Sequence, residues 1–415
     1  MGEENKKMAQ SIQEFLEEQQ RTVTYLRNLS PSRVTIVHHN DTDGICSGAI
    51  LKEALRREGY TPENIPIERV HPLFLPKIHT EDRELILYAD LGSQALLQIA
   101  GAMRKQHQVM IFDHHPPLLP SERQFQRHLY LVNPERFGIE GDLQSSAAAV
   151  AFFFARALST ANDDLACLSI LGAIGDRQLS DGSFVGLNRM AFEIALRQGQ
   201  IRCDYGAEAD GALPRFDGRR GKDISQVIVD LAVNGFYEGG AIHALEFCLK
   251  GPSPETDRFS RRVHRIQEER FRGEMARLNE RGLESEGNIQ WIDAEERLHP
   301  LGLKAIGMLC EEISAGPLAH PDKYLVGFQD IPREIPLLGA FEAEETKVSL
   351  RVPRRLRTEI EQGTKPHLAR IVPPAAGQAD GFAEGCHRYA AACTVPRKNR
   401  RLLISSLDRQ VLKTK

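Results

Sequence analysis

The sequence contains no run of about 18 uninterrupted apolar residues, which excludes a membrane-spanning helix. Its opening stretch, MGEENKKMAQSIQEF, has no apolar core and does not read as a secretory signal. Lys6 stands where a myristoylation signal carries Ser or Thr. The seven cysteines, at positions 46, 167, 203, 248, 310, 386 and 393, form no CxxC pair. A disulfide framework is therefore not expected, and a cytoplasmic location fits. There is one tryptophan, and aromatic residues are sparse toward the C-terminus, so no base-stacking platform is evident there. Apolar residues make up 41% and charged residues 27%, which excludes a mainly disordered chain.

The 415 residues correspond to two or three domains at roughly 150 residues each. The net charge of −4 hides an asymmetry. Residues 351–415 carry 14 Lys/Arg against 5 Asp/Glu, a net of +9, and the rest carries −13. A basic end on an acidic body points to a polyanionic partner, against the plainer reading of a solvated tail.

Apolar residues at three- and four-residue spacing predict one helix over 4–28. Val34-Thr35-Ile36-Val37 is a β-branched strand that runs into HHNDTDG, and a helix follows to Gly59. The pattern recurs. A strand over 85–89 ends in Asp90 before a helix over 93–106, and a strand over 109–112 ends in Asp113-His114-His115. A small-residue helix spans 145–159, and residues 163–174 lead to Asp176. Alternating strands and helices predict a parallel α/β sheet with its polar residues at the strand ends, where such sheets hold ligands. Beyond it we expect mostly helix over 191–252, with a Gly/Arg-rich loop at 206–221, and a charged connector helix over 255–283. A helix over 301–314 and strands over 324–328 and 347–352 predict a smaller second α/β domain. The expected division is an N-terminal helix (1–30), a catalytic domain (31–190), a helical insertion and connector (191–285) and a substrate-binding domain (286–415).

Four acidic or histidine clusters fall, by this reading, at consecutive strand ends: His39-Asn40-Asp41-Thr42-Asp43-Gly44, Asp90, Asp113-His114-His115 and Asp176. A lone Asp after a strand is usually a helix N-cap. Four such clusters at one sheet edge would repel one another unless divalent cations neutralised them. Asp and His without Cys suit Mn²⁺ or Mg²⁺ better than structural zinc.

HNDTDG, ADLGS, DHHPP and IGDRQ resemble the four motifs of the DHH phosphoesterase superfamily, and most of all those of RecJ-like single-strand exonucleases of the archaeal type. LVNPERFG (131–138) and GAIGDRQLSDG (172–182) extend the resemblance over roughly 33–190. It implies two divalent cations, Mn²⁺ ahead of Mg²⁺. One would be held by His39, Asp41 and Asp90, the other by Asp43, Asp90, His114 and Asp176, with Asp90 shared. It further implies that Asp113 orients a ligand histidine and that His115 meets the phosphate or protonates the leaving group. A weaker resemblance over 289–405 is to the DHH-associated substrate-binding domain. Its glycine-rich stretch reads Ala383-Glu384-Gly385-Cys386-His387-Arg388-Tyr389-Ala390-Ala391-Ala392 here, with glycines replaced. His387, Arg388 and the alternating Lys347, Ser349 and Arg351 are the expected substrate contacts, with Arg397, Lys398, Arg400 and Arg401 adding backbone affinity. His38 and Cys46 are expected to be packing residues.

The expected activity is hydrolysis of single-stranded DNA or RNA from an end, with replication or repair proteins as partners, no membrane and an open oligomeric state. The alternatives are a small-substrate member (nanoRNase, cyclic-dinucleotide phosphodiesterase or 3′-phosphoadenosine phosphate phosphatase) and a replisome-associated protein. A dead scaffold is disfavoured because every ligand position is filled.

Overall fold

In a computed structural model the described residues are 3–118, 128–203, 211–342 and 344–413. The expected 206–221 loop lies partly outside them. They form two compact units, Met1–Ala232 with Gly239–Ser260, and Val233–Glu238 with Arg261–Lys415. No helix among the described residues is long and apolar enough to cross a membrane.

The first unit is built on a five-stranded parallel sheet of β1 (Val34–His39), β2 (Glu63–Ile67), β3 (Leu85–Ala89), β4 (Gln108–Phe112) and β5 (Leu129–Val132), in the order β2-β1-β3-β4-β5. The three inner strands are continuous apolar or β-branched runs, as expected of strands covered on both faces. Ile36, Val37, Leu87, Ile111 and Phe112 are all essentially inaccessible. The helices are α1 (Glu3–Leu29), α2 (Thr42–Arg57), α3 (Leu75–Ile78), α4 (Leu96–Ala102), α5 (Ala147–Leu158), α6 (Ala166–Gly175), α7 (Gly186–Arg197), α8 (Gly221–Ile228) and α9 (Gly240–Lys250). Two short strands, β6 (Ala212–Leu213) and β7 (Arg219–Arg220), pair before α8. Helix α2 packs on β1 and on α5, α6 and α9, so the HNDTDG turn is anchored from several sides. Phe154 of α5 meets the ring of Phe112, next to Asp113, with centroids 4.8 Å apart.

One expectation fails. Asp176 does not end a strand, because residues 166–175 form the buried helix α6. The run ACLSILGAIG is apolar all round, and such a run does not distinguish a buried strand from a buried helix by periodicity. Its Ala, Leu and Gly content and its packing against α2, α5, α7 and α8 settle it as helix.

Helix α10 (Pro254–Arg281) begins in the first unit and ends in the second. The second unit has a six-stranded mixed sheet of β8 (Glu284–Glu286), β9 (Ile289–Asp293), β10 (Tyr324–Asp330), β13 (Glu345–Arg351), β14 (Phe382–Cys386) and β15 (Ala390–Pro396). Its order is β14-β15-β13-β10-β9-β8, with only β9 and β10 parallel. A small hairpin of β11 (Glu334–Ile335) and β12 (Gly339–Ala340) stands outside it. Helix α11 (Ala305–Ala315) packs on β10 and β13. Helices α12 (Arg354–Glu361), α13 (Leu368–Gln378) and α14 (Arg400–Leu412) share a core with Val326, Val348 and Leu350.

Because Phe154 is fully buried, Phe154→Ala should cost about 3–5 kcal/mol. Urea unfolding followed by circular dichroism measures it, and a loss under about 1 kcal/mol would contradict the packing described.

Candidate metal centre

At the carboxyl edge of the parallel sheet, the side chains that follow β1, β3 and β4 converge with the end of α6. Ligand atoms of His39, Asp41 and Asp90 lie within 4.8 Å of one another, and so do those of Asp43, Asp90, His114 and Asp176. Asp90 is common to both groups. A third such grouping joins Asp90 and His114 to Asp113 and His115. His39 Nδ1 stands 2.9 Å from Asp41 and 3.2 Å from Asp90. His114 Nε2 stands 3.3 Å from Asp176, 3.4 Å from Asp90 and 3.9 Å from Asp43.

Backbone amides hold the carboxylates of Asp41 and Asp43, and main-chain geometry places Asp90 and Asp176. Asp41 caps α2, its Oδ1 accepting from Gly44 N at 3.0 Å. The Asp43 carboxylate accepts from Ala147 N (2.7 Å) and Ala148 N (2.9 Å), the first two amides of α5, so it sits on the positive end of that helix. Such close docking requires small neighbours. A Cβ on Gly172 would stand 2.2 Å from Asp43 Oδ1 and 2.5 Å from the Ala148 methyl. Asp90 adopts a left-handed backbone, φ 61°, with its N–H donating to Phe112 O at 2.9 Å. Left-handed non-glycine residues are uncommon and cluster at functional sites.

Asp176 is the C-cap of α6, which closes in a Schellman turn. Gln178 N donates to Ala173 O (2.9 Å) and Arg177 N to Ile174 O (3.1 Å). The turn presents Asp176 to the cluster and carries Gln178 inward. Gln178 Nε2 donates to Gly141 O (2.8 Å), which also accepts from His114 Nδ1 (2.8 Å). Asn188 Nδ2 in turn donates to Gln178 Oε1 (2.7 Å), and Asn188 Oδ1 accepts from Ser146 N (3.1 Å). With Nδ1 bonded to a carbonyl, His114 turns Nε2 toward three carboxylates.

Asp113 reaches the ring of His115 and the backbone of His114. The ring of His114, the histidine expected to be a ligand, is held by Gly141, and Asp113 bonds its backbone N–H. Asp113 Oδ1 accepts from His115 Nδ1 (2.8 Å), His114 N (2.8 Å) and His115 N (3.2 Å), and Oδ2 accepts from Ser93 N (2.8 Å). Asn133 braces this turn, donating to Ser93 Oγ (2.8 Å) and His115 O (2.9 Å). His115 is 39% exposed, whereas Asp113 is buried.

The electrostatics follow from crowding. Burial and the neighbouring Asp90 charge push Asp43 up to about 7. Burial and Asp43 push Asp176 well above the usual carboxylate range. Burial works against a charged His114, but the nearby carboxylates of Asp90, Asp176 and Asp43 outweigh it and raise its pKa. Burial likewise disfavours a charged Asp113, yet His115 holds its carboxyl well below the usual range. Asp90 Oδ1 and His114 Nε2 are both buried without a hydrogen bond. Buried polar atoms left this way call for an explanation. Divalent cations supply one, since they satisfy these atoms and cancel the repulsion together, so the residues fit two such ions. His38 is packed, as expected, at 0% exposure, and burial lowers it to about 4; Cys46 is equally buried.

The expected substrate residues of the second unit fare less well. Lys347, Ser349 and Arg351 do alternate along β13. However, Lys347 forms an ion pair with Glu384, which lies where β14 is irregular. Arg351 Nη1 donates to Ser349 Oγ (3.0 Å) and Leu350 O (2.9 Å), and Ser349 is buried. The C-terminal arginines are also engaged. Arg397 pairs with Asp330 (3.0 Å), Arg400 with Asp293 (2.7 Å) and Asp330, and Arg401 with Glu284 (2.6 Å). These acids, distant in sequence, neutralise much of the basic run. His387 and Arg388 are exposed at the β14–β15 turn.

Gln178, Asn188, Asn133 and Gly141 are not singled out by the sequence, although three of them lie within the LVNPERFG and IGDRQ stretches or just beyond. Gln178→Ala should weaken Mn²⁺ affinity by about 10–100-fold, the usual loss when a residue supporting a ligand histidine is removed. Isothermal titration with Mn²⁺ measures it, and unchanged affinity would remove Gln178 from the support of His114.

Residues 33–173 match the DHH family, N-terminal domain. An uncharacterised protein of Methanocaldococcus jannaschii is 30% identical over 159 residues, 38% of this chain and 35% of that protein. RecJ of Thermus thermophilus, solved with Mn²⁺, superposes with TM-score 0.61 at 18% identity over 96% of this chain and 55% of its own. A further structure, exonuclease RecJ bound to manganese, gives TM-score 0.58 at 16% identity over 95% of this chain and 94% of its own. The chain thus spans about a third of its sequence relative and half of the Thermus structure. On the family match and the shared architecture, residues 33–173 are similar to the N-terminal domain of the DHH family, and the chain has a fold like that of the RecJ structures over nearly its whole length.

Proposed function

We propose that the protein is a two-metal phosphodiesterase that shortens single-stranded DNA or RNA from an end. The observation that carries this reading is the pair of His/Asp groups sharing Asp90. His39, Asp41 and Asp90 would hold one divalent ion, and Asp43, Asp90, His114 and Asp176 the other. Bound there, such ions supply Lewis-acid polarisation of phosphoryl oxygens and a nucleophile at neutral pH. Mn²⁺ is the preferred ion and Mg²⁺ the alternative, in keeping with RecJ structures of Thermus thermophilus solved with each.

The chain's own groups do the rest. Two α5 amides fix Asp43, and Gly141 fixes His114. Asp113 grips Nδ1 of His115, leaving Nε2 to donate a proton to the departing oxygen. Attack on a terminal phosphodiester by water then forms one P–O bond and breaks another; the water's proton passes to solvent, His115 delivers the leaving group's proton, and His115 is reprotonated from solvent.

The nucleic-acid substrate is supported by likeness to RecJ across both units. A second reading, a phosphodiesterase of dinucleotides or other small substrates, is favoured by the internal pairing of Lys347, Arg397, Arg400 and Arg401, which leaves less free charge to hold a strand. Replication or repair proteins as partners, and a cytoplasmic location, belong to the first reading. End-labelled ssDNA, ssRNA and dinucleotides digested side by side with Mn²⁺ separate the two; cleavage of dinucleotides alone would overturn the strand-shortening reading.

Asp90→Ala should lower turnover at least about 100-fold, because one substitution disrupts both ion sites. Activity within a few-fold of wild type would sink the two-metal assignment. His115→Ala should lower turnover by about 10²–10⁴-fold with two ions still bound. Metal analysis showing a single ion in that variant would make His115 a ligand instead.

A further inference from the structure

Arg177 stands immediately after Asp176, in a conformation that an arginine does not favour. It is the C′ residue of the Schellman turn ending α6, with φ 58°. This left-handed position is ordinarily glycine's, because a Cβ is strained there. Nothing local compensates. The side chain is exposed, and among the described residues it makes no hydrogen bond, ion pair or ring contact, although it borders a centre rich in carboxylates. Other arginines of this unit, such as Arg56 and Arg57, are engaged by Glu53 and Asp164.

We propose that Arg177 binds a phosphate of the substrate at the metal centre. This rests on the phosphodiesterase reading and names a residue that reading does not use. The groups that would hold the ions are carboxylates and histidines, and His115 offers a single ring nitrogen. A phosphodiester anion needs a donor that carries positive charge and points two N–H groups at two oxygens, as a guanidinium does. The backbone supplies such a donor one residue from a proposed ligand, at an outward-facing turn. The turn is rigid, being closed by two hydrogen bonds and tied through Gln178 to Gly141, so the root of the arginine is fixed although its tip is free.

The left-handed backbone makes the test sharp, because glycine suits the position better than arginine does. Arg177→Gly should keep or raise the melting temperature and keep the Mn²⁺ stoichiometry, while weakening substrate binding. Binding of a labelled oligothymidylate, followed by anisotropy with Ca²⁺ in place of Mn²⁺, should fall by about 10–100-fold, the range for charge-assisted bonds of about 1.5–3 kcal/mol. The log–log salt slope should become shallower by about 0.7, as for one lost phosphate contact on a single strand. Arg177→Lys should recover part of the affinity, since it restores charge without the fork. Wild-type binding that Arg177→Gly retains overturns this proposal alone. Loss of bound metal or of the fold in Arg177→Gly also overturns it, because the residue would then be structural. A wild-type chain that neither binds nor cleaves the oligonucleotide overturns the phosphodiesterase reading and takes this inference with it.

Discussion

The first unit depends on a single electrostatic problem, the burial of Asp90 among other acids. Asp43 and Asp90 are almost wholly buried, and Asp41 and Asp176 join them at the same sheet edge. Carboxylates this close cannot all stay ionised without compensation, and the upward shifts of Asp43 and Asp176 express that conflict. A fold that sought stability alone would place apolar residues here. What surrounds the acids instead is a set of devices that hold them in place: a left-handed backbone at Asp90, two helix amides on Asp43 and a C-cap for Asp176. Local cost accepted at one site and offset by the surrounding packing is the pattern expected of a functional centre.

The packing around the centre serves that geometry. The small residues at the start of α5 and Gly172 on α6 allow two helices and a carboxylate to meet at contact distance. Gly141 is equally constrained, since a Cβ there would stand 1.8 Å from His114 O. The amide chain Ser146–Asn188–Gln178–Gly141 ends on the His114 ring and sets which ring nitrogen faces the acids. These contacts tie α5, α6 and α7 to the loop after β4, so the metal centre and the core of the unit are one construction.

Much of this is legible in the sequence, for physical reasons that also explain the misses. The inner strands β3 and β4 carry apolar runs that stop at an acid, and β1 is a β-branched run that stops at HHND, which marks a buried parallel strand and its functional end. The outer strands β2 and β5 carry no such mark. ENIPI contains a proline, tolerated because β2 lies at the sheet edge, and LYLV is only four residues long. Asp176 is expected among the acids but on the wrong kind of element, because Arg177 occupies the left-handed position where a glycine would have signalled a helix end. The amide network escapes notice because its members are separated by up to about forty residues and meet only in the folded chain. The basic C-terminal run looks free because its acidic partners, Asp293, Asp330 and Glu284, lie 67 or more residues upstream. Glu384 meets Lys347 only through the antiparallel register of β13, β14 and β15 and the irregularity at that point.

The two units therefore carry different weight. The first presents a site whose geometry is complete among the described residues and whose buried, unsatisfied atoms ask for cations. The second pairs Lys347, Arg397, Arg400 and Arg401 internally, and leaves His387 and Arg388 exposed. The claim on which everything else turns is that two ions share Asp90. Anomalous diffraction at the manganese edge from crystals grown with Mn²⁺ tests it most directly. Two peaks about 3.5–4 Å apart with the Asp90 carboxylate between them are expected. A single peak, or two that Asp90 does not bridge, would contradict the account.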